Sequence, residues 1–298
     1  MDATTPPEKL PKRDESTGTL LLRRYRLGEL LSSGGASTVW RARDEQLGRD
    51  VAVKIFRSDA VTPEQIEEQE RELRLLAGLN HHALSWLLDA GVGLSDRRNP
   101  RVYLVLGLID GDNLQDMIAA SAPFSTRFTG YMGYDVAEAL EYLHHRGVVH
   151  RDLKPANIVM TRYANADARH RAKVVDFGIA QLLDKLRTGE VLKGTAAYLS
   201  PEQALGRKVT PATDIYSLGL VLLECLTGQI AFPGDALTSA KARITGDPFI
   251  PDTLAEDWRN VIRAMTARDP EARPTASDVL IQMRDILIAD IGRRRADR

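Results

Sequence analysis

Four residues near the middle of the chain form a set that can move a phosphoryl group. Asp152 and Lys154 stand two residues apart, Asn157 follows three residues later, and Asp176 comes nineteen residues after Asn157. A carboxylate such as Asp152 can take the proton of an attacking alcohol. The amide of Asn157 and the carboxylate of Asp176 can hold Mg2+. The Lys154 ammonium can offset charge on a phosphoryl group in flight. Positioned general-base help of this kind is typically worth about 10²–10⁴ in rate. The local string is His150-Arg151-Asp152-Leu153-Lys154-Pro155-Ala156-Asn157, with Asp176-Phe177-Gly178 beyond it.

Such a set needs elements to hold it and a place for a polyphosphate. Leu20 to Trp40 alternates as two strands around the turn Leu31-Ser32-Ser33-Gly34-Gly35-Ala36-Ser37-Thr38-Val39. Small residues there let a backbone approach phosphates and offer N–H donors to an anion. Val51-Ala52-Val53-Lys54-Ile55 is a strand of period two, with Lys54 and Ala52 on one face. Thr62-Pro63-Glu64-Gln65 starts a helix that runs to about Leu79: Thr62 caps, Pro63 suits the first turn, and Gln65 closes a capping box. Glu72 shares its face with Leu75, Leu76 and Leu79, and a carboxylate beside an apolar stripe needs a partner.

Farther on, Arg101 to Ile109 is an apolar strand, and Ser125 to Gly147 is helical. His144 and His145 could suggest a metal, but adjacent helical side chains point about 100° apart, so both are expected to be structural or exposed. Four more helices are predicted, at about Thr213–Gly228, Ala236–Thr245, Ala255–Arg268 and Thr275–Ile291.

The 298 residues, 43% hydrophobic and 27% charged, fit a globular chain of about two domains at roughly 150 residues each. A formal net charge of −1 gives no sign of a nucleic-acid partner. The single cysteine, Cys225, excludes a disulfide framework or cysteine zinc site within the chain. The first nineteen residues are polar, with no apolar leader, and read as a disordered arm. The longest apolar run, Ile215 to Leu226, is too short to span a bilayer and contains Glu224, so it is read as a buried core helix. A cytoplasmic location is expected.

The central string and Asp176-Phe177-Gly178 resemble the H-R-D-L-x-x-x-N catalytic loop and D-F-G element of protein kinases. The other kinase signatures are present in order from Tyr25 to Ile291. The local style, Tyr198-Leu199-Ser200-Pro201-Glu202-Gln203 and Lys154-Pro155-Ala156-Asn157, resembles the eukaryotic-type (Hanks-type) serine/threonine kinases of bacteria. The resemblance implies an α+β, bilobal fold. Residues 20–106 would be the small β-rich lobe with one main helix, and 107–291 the hinge and larger helical lobe. Residues 1–19 and 292–298 would be a disordered arm and a basic tail.

By the same resemblance Asp152 is the base, Lys154 marks Ser/Thr specificity, and Asn157 and Asp176 hold the metal. Lys54 would lie on the α- and β-phosphates and pair with Glu72, with Glu70 as second choice. The turn from Leu31 through Ser32, Ser33, Gly34, Gly35, Ala36 and Ser37 to Val39 would cover the phosphates. It departs from the kinase pattern, because Ser32 and Ser37 stand where the first and third glycines are expected. Ala52 and Val159 would sandwich the adenine, Leu106 would be the gatekeeper, backbone groups of Gly107 and Ile109 would bind the base, and Asn113 would reach the ribose. Thr188 and Thr195 would lie in the activation segment, Thr188 as the autophosphorylated residue paired with Arg151 and Thr195 beside Lys154. Asp214 would brace the catalytic loop, and Glu202 would pair with Arg273. The activity implied is transfer of the ATP γ-phosphoryl to Ser/Thr hydroxyls of proteins, with Mg2+ (or Mn2+) and no nucleic acid, leaving open a homodimer for trans-autophosphorylation. The alternatives are a nucleotide-binding pseudokinase scaffold and a small-molecule phosphotransferase. The second usually lacks a segment like Gly194-Thr195…Ser200-Pro201-Glu202.

Overall fold

The computed structural model describes residues 17–33, 37–56, 78–96, 99–162, 169–176 and 196–296. The alternation around Lys54 decides the first unit. Strand β4 (Arg49–Phe56) turns Val51, Val53 and Ile55 inward to full burial. It pairs antiparallel with β3 (Ser37–Asp44), which pairs antiparallel with β2 (Tyr25–Ser33) and through it with the short β1 (Leu20–Leu21). The sheet is completed by β5 (Leu87–Asp96) and β6 (Asn99–Gly107) in the order β1-β2-β3-β4-β6-β5. The β2–β3 ladder slips between Leu27 and Leu30 and again between Leu30 and Ser32, then resumes as far as Ser33 opposite Thr38. Such slips increase local twist and bend the strand that carries them.

The described residues in 17–56 and 90–106 form this β-rich unit, and those in 78–89 and 107–296 form a second, mainly helical one. The chain is thus α+β with two units, as the sequence implied. The division falls at Leu106/Gly107, and residues 78–89, expected in the small lobe, group with the helical unit. Val174 N–H donates to Ala83 O at 2.8 Å, and Leu84 bridges to Val174. The helix expected from Thr62 lies almost wholly outside the described residues.

Seven α-helices are described in the second unit: α1 (Leu114–Ser121), α2 (Thr126–His145), α3 (Pro201–Ala204), α4 (Pro211–Thr227), α5 (Ala236–Thr245), α6 (Glu256–Met265) and α7 (Ala276–Ala296). A small sheet, β7 (Asp112–Asn113), β8 (Ile158–Arg162) and β9 (His170–Val174), lies beside the catalytic string. Helix α4 is the centre of this unit. Proline suits its first turn, every residue from Thr213 to Leu226 is buried, and Gly228 closes it at φ +71°. A helix apolar on all sides is one that is enclosed by others. This is the core helix read from Ile215 to Leu226. Helix α7 begins as expected, with Asp278 accepting from Thr275 N–H at 2.9 Å and from its hydroxyl at 2.6 Å.

One long-range ion pair ties the short α3 to the segment before α7. Arg273 grips Glu202 through two bonds, Nη1 to Oε1 at 2.8 Å and Nη2 to Oε2 at 2.9 Å, and both residues are buried. The Thr213 hydroxyl adds a third bond to Glu202, at 2.7 Å. Burial by itself raises the Glu202 pKa, but the bonds from Arg273 and Thr213 outweigh it and hold the carboxyl below its ordinary range. A depressed carboxylate contributes stability that is present above its unfolded pKa and is lost as pH falls through the folded one. Arg273→Ala strands the Glu202 charge and should cost roughly 3–5 kcal/mol in urea unfolding at neutral pH. The deficit relative to wild type should shrink as the medium is acidified through the carboxylate range.

Candidate active site

The catalytic string is held from below by one buried carboxylate. Asp214, on the first turn of α4, is fully buried. Its Oδ2 accepts the His150 N–H at 2.8 Å and its Oδ1 accepts the Arg151 N–H at 2.8 Å. His144 Nε2, from the last turn of α2, lies 2.8 Å from Oδ2. His144 is therefore structural, as expected for that pair. The loop is also held from above. His150 Nε2 is 3.1 Å from Val175 O, and Gln203 Nε2 donates to Arg151 O at 2.7 Å.

These restraints keep two residues in a backbone conformation that side chains disfavour. Arg151 has φ +67° and Asp176 has φ +62°. A non-glycine residue held there costs of order 1–3 kcal/mol, so the surroundings must over-determine it. For Arg151 they do so through its own N–H and C=O.

The chemistry-bearing groups converge above this base. Lys154 Nζ donates to Asp152 Oδ2 at 2.8 Å, so positive charge stands beside the carboxylate that would take a proton. The Asn157 amide nitrogen donates to Asp152 O at 2.7 Å and to Oδ2 at 3.2 Å. That commits the nitrogen, so the side-chain oxygen is the atom Asn157 could offer a cation, while its backbone carbonyl is used separately. Asn157 O accepts the Val175 N–H at 2.9 Å, which fixes Asp176 as the next residue along. A divalent cation held by Asn157 and Asp176 would thus meet an amide oxygen and a carboxylate, the hard donors that suit Mg2+.

The residues expected toward the nucleotide are found in both units. In the β-rich unit Val39 pairs with Lys54, and Arg41 pairs with Ala52, so Val39, Ala52 and Lys54 share the face opposite Val51, Val53 and Ile55. Lys54 is buried, its Nζ 5.7 Å from the Phe56 ring centroid. Leu31, Ser32 and Ser33 are exposed at the end of β2, Ser37 and Val39 are half-buried on β3, and Leu106 is buried on β6. In the helical unit Gly107 donates its N–H to Trp86 O at 2.8 Å, Ile109 is half-buried, and Val159 pairs with Asn113. Asn113, expected toward the ribose, has both ends of its amide engaged. Oδ1 caps α1 by accepting the Gln115 N–H at 2.9 Å, and Nδ2 donates to Ala156 O at 2.8 Å. Gly34, Gly35, Ala36, Glu72, Thr188 and Thr195 lie outside the described residues.

The comparisons with known proteins agree with this geometry. The pattern of the protein kinase domain matches residues 25–283. The chain belongs to the protein kinase family. It is 38% identical over 262 residues to the serine/threonine-protein kinase PknA of Mycobacterium tuberculosis, covering 86% of this chain and 59% of that protein. It is 39% identical over 269 residues to the serine/threonine-protein kinase PknB of the same organism, covering 87% of this chain and 42% of that one. The chain thus spans about half the length of the curated relatives it matches. The resemblance to bacterial Hanks-type kinases is confirmed by these matches. Among the described residues, no helix is long and apolar enough to cross a membrane.

Several residues that support the kinase loop carry no motif. The Tyr198 hydroxyl donates to Glu224 Oε2 at 2.6 Å, and Ser217 donates to Tyr198 O at 2.8 Å. Arg243, fully buried, donates to Leu199 O and to Ser239 Oγ at 2.6 Å. Together these pin the chain between Ala196 and Pro201, from which Gln203 reaches the catalytic loop. Nothing in the local sequence Ala240-Lys241-Ala242-Arg243 marks this arginine as buried rather than solvated. Removing the Asp214 carboxylate should be the most damaging single change in this network. Asp214→Ala leaves buried N–H groups of His150 and Arg151 without acceptors. It is expected to lower unfolding stability by at least about 2 kcal/mol, at roughly 1–3 kcal/mol per orphaned group, measured by chemical denaturation.

Proposed function

We propose that this chain is a protein serine/threonine kinase that transfers the γ-phosphoryl of ATP to hydroxyls of protein substrates. The observation that carries the reading is the Asp152 carboxylate, held by Lys154 at 2.8 Å and by Asn157, in a chain of the protein kinase family. Asp152 accepts the proton of the attacking hydroxyl as the new P–O bond forms. Lys154 stands where charge accumulates during transfer. Lys54, from the β-rich unit, meets the phosphates, with Glu72 as its expected partner. Asn157 and Asp176 hold Mg2+, which supplies charge neutralisation to the phosphates when bound. Ala52 and Val159 flank the adenine, and the backbone of Gly107 and Ile109 meets its edge.

Because the reaction has little covalent chemistry for the protein to perform, positioning and charge carry it. The rigid bonding around Asp152 supports such a role. The reading extends to autophosphorylation of Thr188 by a second copy of the chain, and to Mg2+ rather than Mn2+ as the working ion. A formal charge of −1 favours protein acceptors over nucleic acid.

The deciding experiment incubates the purified chain with labelled ATP, Mg2+ and a basic protein acceptor. Asp152→Asn should lower transfer by about 10²–10⁴ while leaving nucleotide-dependent thermal stabilisation intact. Lys54→Ala should lose transfer as well. Nucleotide stabilisation of the wild type with no transfer at all would replace this reading by a nucleotide-binding scaffold. Label that enters the chain itself should map to Thr188, and Thr188→Ala should slow transfer to the acceptor. Full activity of that variant, with no phosphate on Thr188 in the wild type, would remove the autophosphorylation step.

A further inference from the structure

His81 and His82 sit in the turn that precedes β5, not on a helix, and their rings come together. The ring centroids are 4.4 Å apart. His82 Nε2 lies 3.2 Å from Glu138 Oε2, on α2. One ligand atom from each of His81, His82 and Glu138 falls within 4.8 Å of the others. All three belong to the helical unit, and none is part of the kinase site. We infer that His81, His82 and Glu138 form a second metal site, for a borderline divalent cation such as Zn2+, that clips the turn before β5 to α2.

The donor set fits that ion. Two imidazoles and one carboxylate match the three-ligand sets Zn2+ takes, with a fourth position left for water. With bonds of about 2.0–2.1 Å, ligand atoms in a tetrahedral shell lie roughly 3.3–3.4 Å apart. The His82–Glu138 separation of 3.2 Å is already at that value. The remaining closure is a side-chain rotation for His82, whose side chain keeps 59% of its exposure.

The shell behind the ligands is also built. The Tyr142 ring, one turn along α2 from Glu138, stacks on His81 at 5.0 Å and 23°. The Tyr142 hydroxyl accepts the Asn80 N–H at 2.9 Å, and the Arg146 guanidinium lies over the Tyr142 ring at 4.9 Å. Orientation of ligand rings by such partners is what conserves metal geometry. The Ala83 N–H lies 3.3 Å from His81 Nδ1. Metal binding at either ring nitrogen gives up that bond, and its length makes the loss small.

The test uses the chain stripped of metal with a chelator, nucleotide-free, titrated with zinc chloride in a large excess of Mg2+ and followed by calorimetry and thermal unfolding. One Zn2+ should bind per chain and raise the unfolding temperature, since a ligand that binds only the folded state stabilises it. His82→Ala and Glu138→Gln should each weaken binding by roughly tenfold or more, the scale on which even outer-shell partners act, and abolish the thermal shift. His145→Ala, which removes the exposed last residue of α2, and Asp176→Asn, which removes the kinase metal ligand, should both bind as wild type does. No stoichiometric binding, binding that survives both His82→Ala and Glu138→Gln, or binding that vanishes with Asp176→Asn would each overturn the proposal.

Discussion

The Asp214 carboxylate is the interaction on which the catalytic geometry rests. A buried charge is costly unless good partners meet it, and here two of the partners are backbone N–H groups of the loop that carries Asp152. Neither side is satisfied without the other. Helix α4 cannot bury Asp214 alone, and Arg151 cannot hold its left-handed backbone alone. Core formation around α4 and shaping of the catalytic loop are therefore one event. The loop inherits its rigidity from a helix that is buried along almost its whole length.

The same logic spreads outward through residues of ordinary type. Glu224 and Ser217 on α4 hold Tyr198, Arg243 on α5 holds Leu199, and Gln203 passes the restraint back to Arg151. Asp135 on α2 performs a parallel task for β9, accepting from Arg169 at 3.0 Å, Arg171 at 3.2 Å and the Ala172 N–H at 3.0 Å. The hairpin of β8 and β9, which sets Asn157 against Val175, is thereby fixed to a helix rather than left as a free ribbon.

This explains what could and could not be read beforehand. The catalytic residues are legible because their chemistry demands rare side-chain sets within one short string, and because the strand around Lys54 has a clean period of two. The bounds of α5 and the buried nature of α4 follow from apolar pattern and turn residues. The supporting network is not legible, because its partners lie far apart in sequence and each alone is unremarkable. Tyr198 and Glu224 are twenty-six residues apart, and Arg243 and Leu199 forty-four. Asn113 shows the converse: its type suits a ribose contact, and only the fold reveals that capping α1 and holding Ala156 occupy its amide. Histidine pairs illustrate the limit most directly. On a helix, His144 and His145 diverge and one of them serves Asp214. In a turn, where no fixed angle separates neighbours, His81 and His82 converge.

Ser32 finds a physical account in the ladder. Ser32 stands opposite Val39 and Ser33 opposite Thr38, so the position where a glycine is usual lies within a paired strand. Glycine there would carry the largest entropy loss on ordering, and serine loses less. The exchange therefore favours order: β2 and β3 are paired as far as Ser33 and Thr38. The catalytic loop shows the same preference for order, its backbone held at His150 and Arg151 by Asp214 and at Arg151 by Gln203.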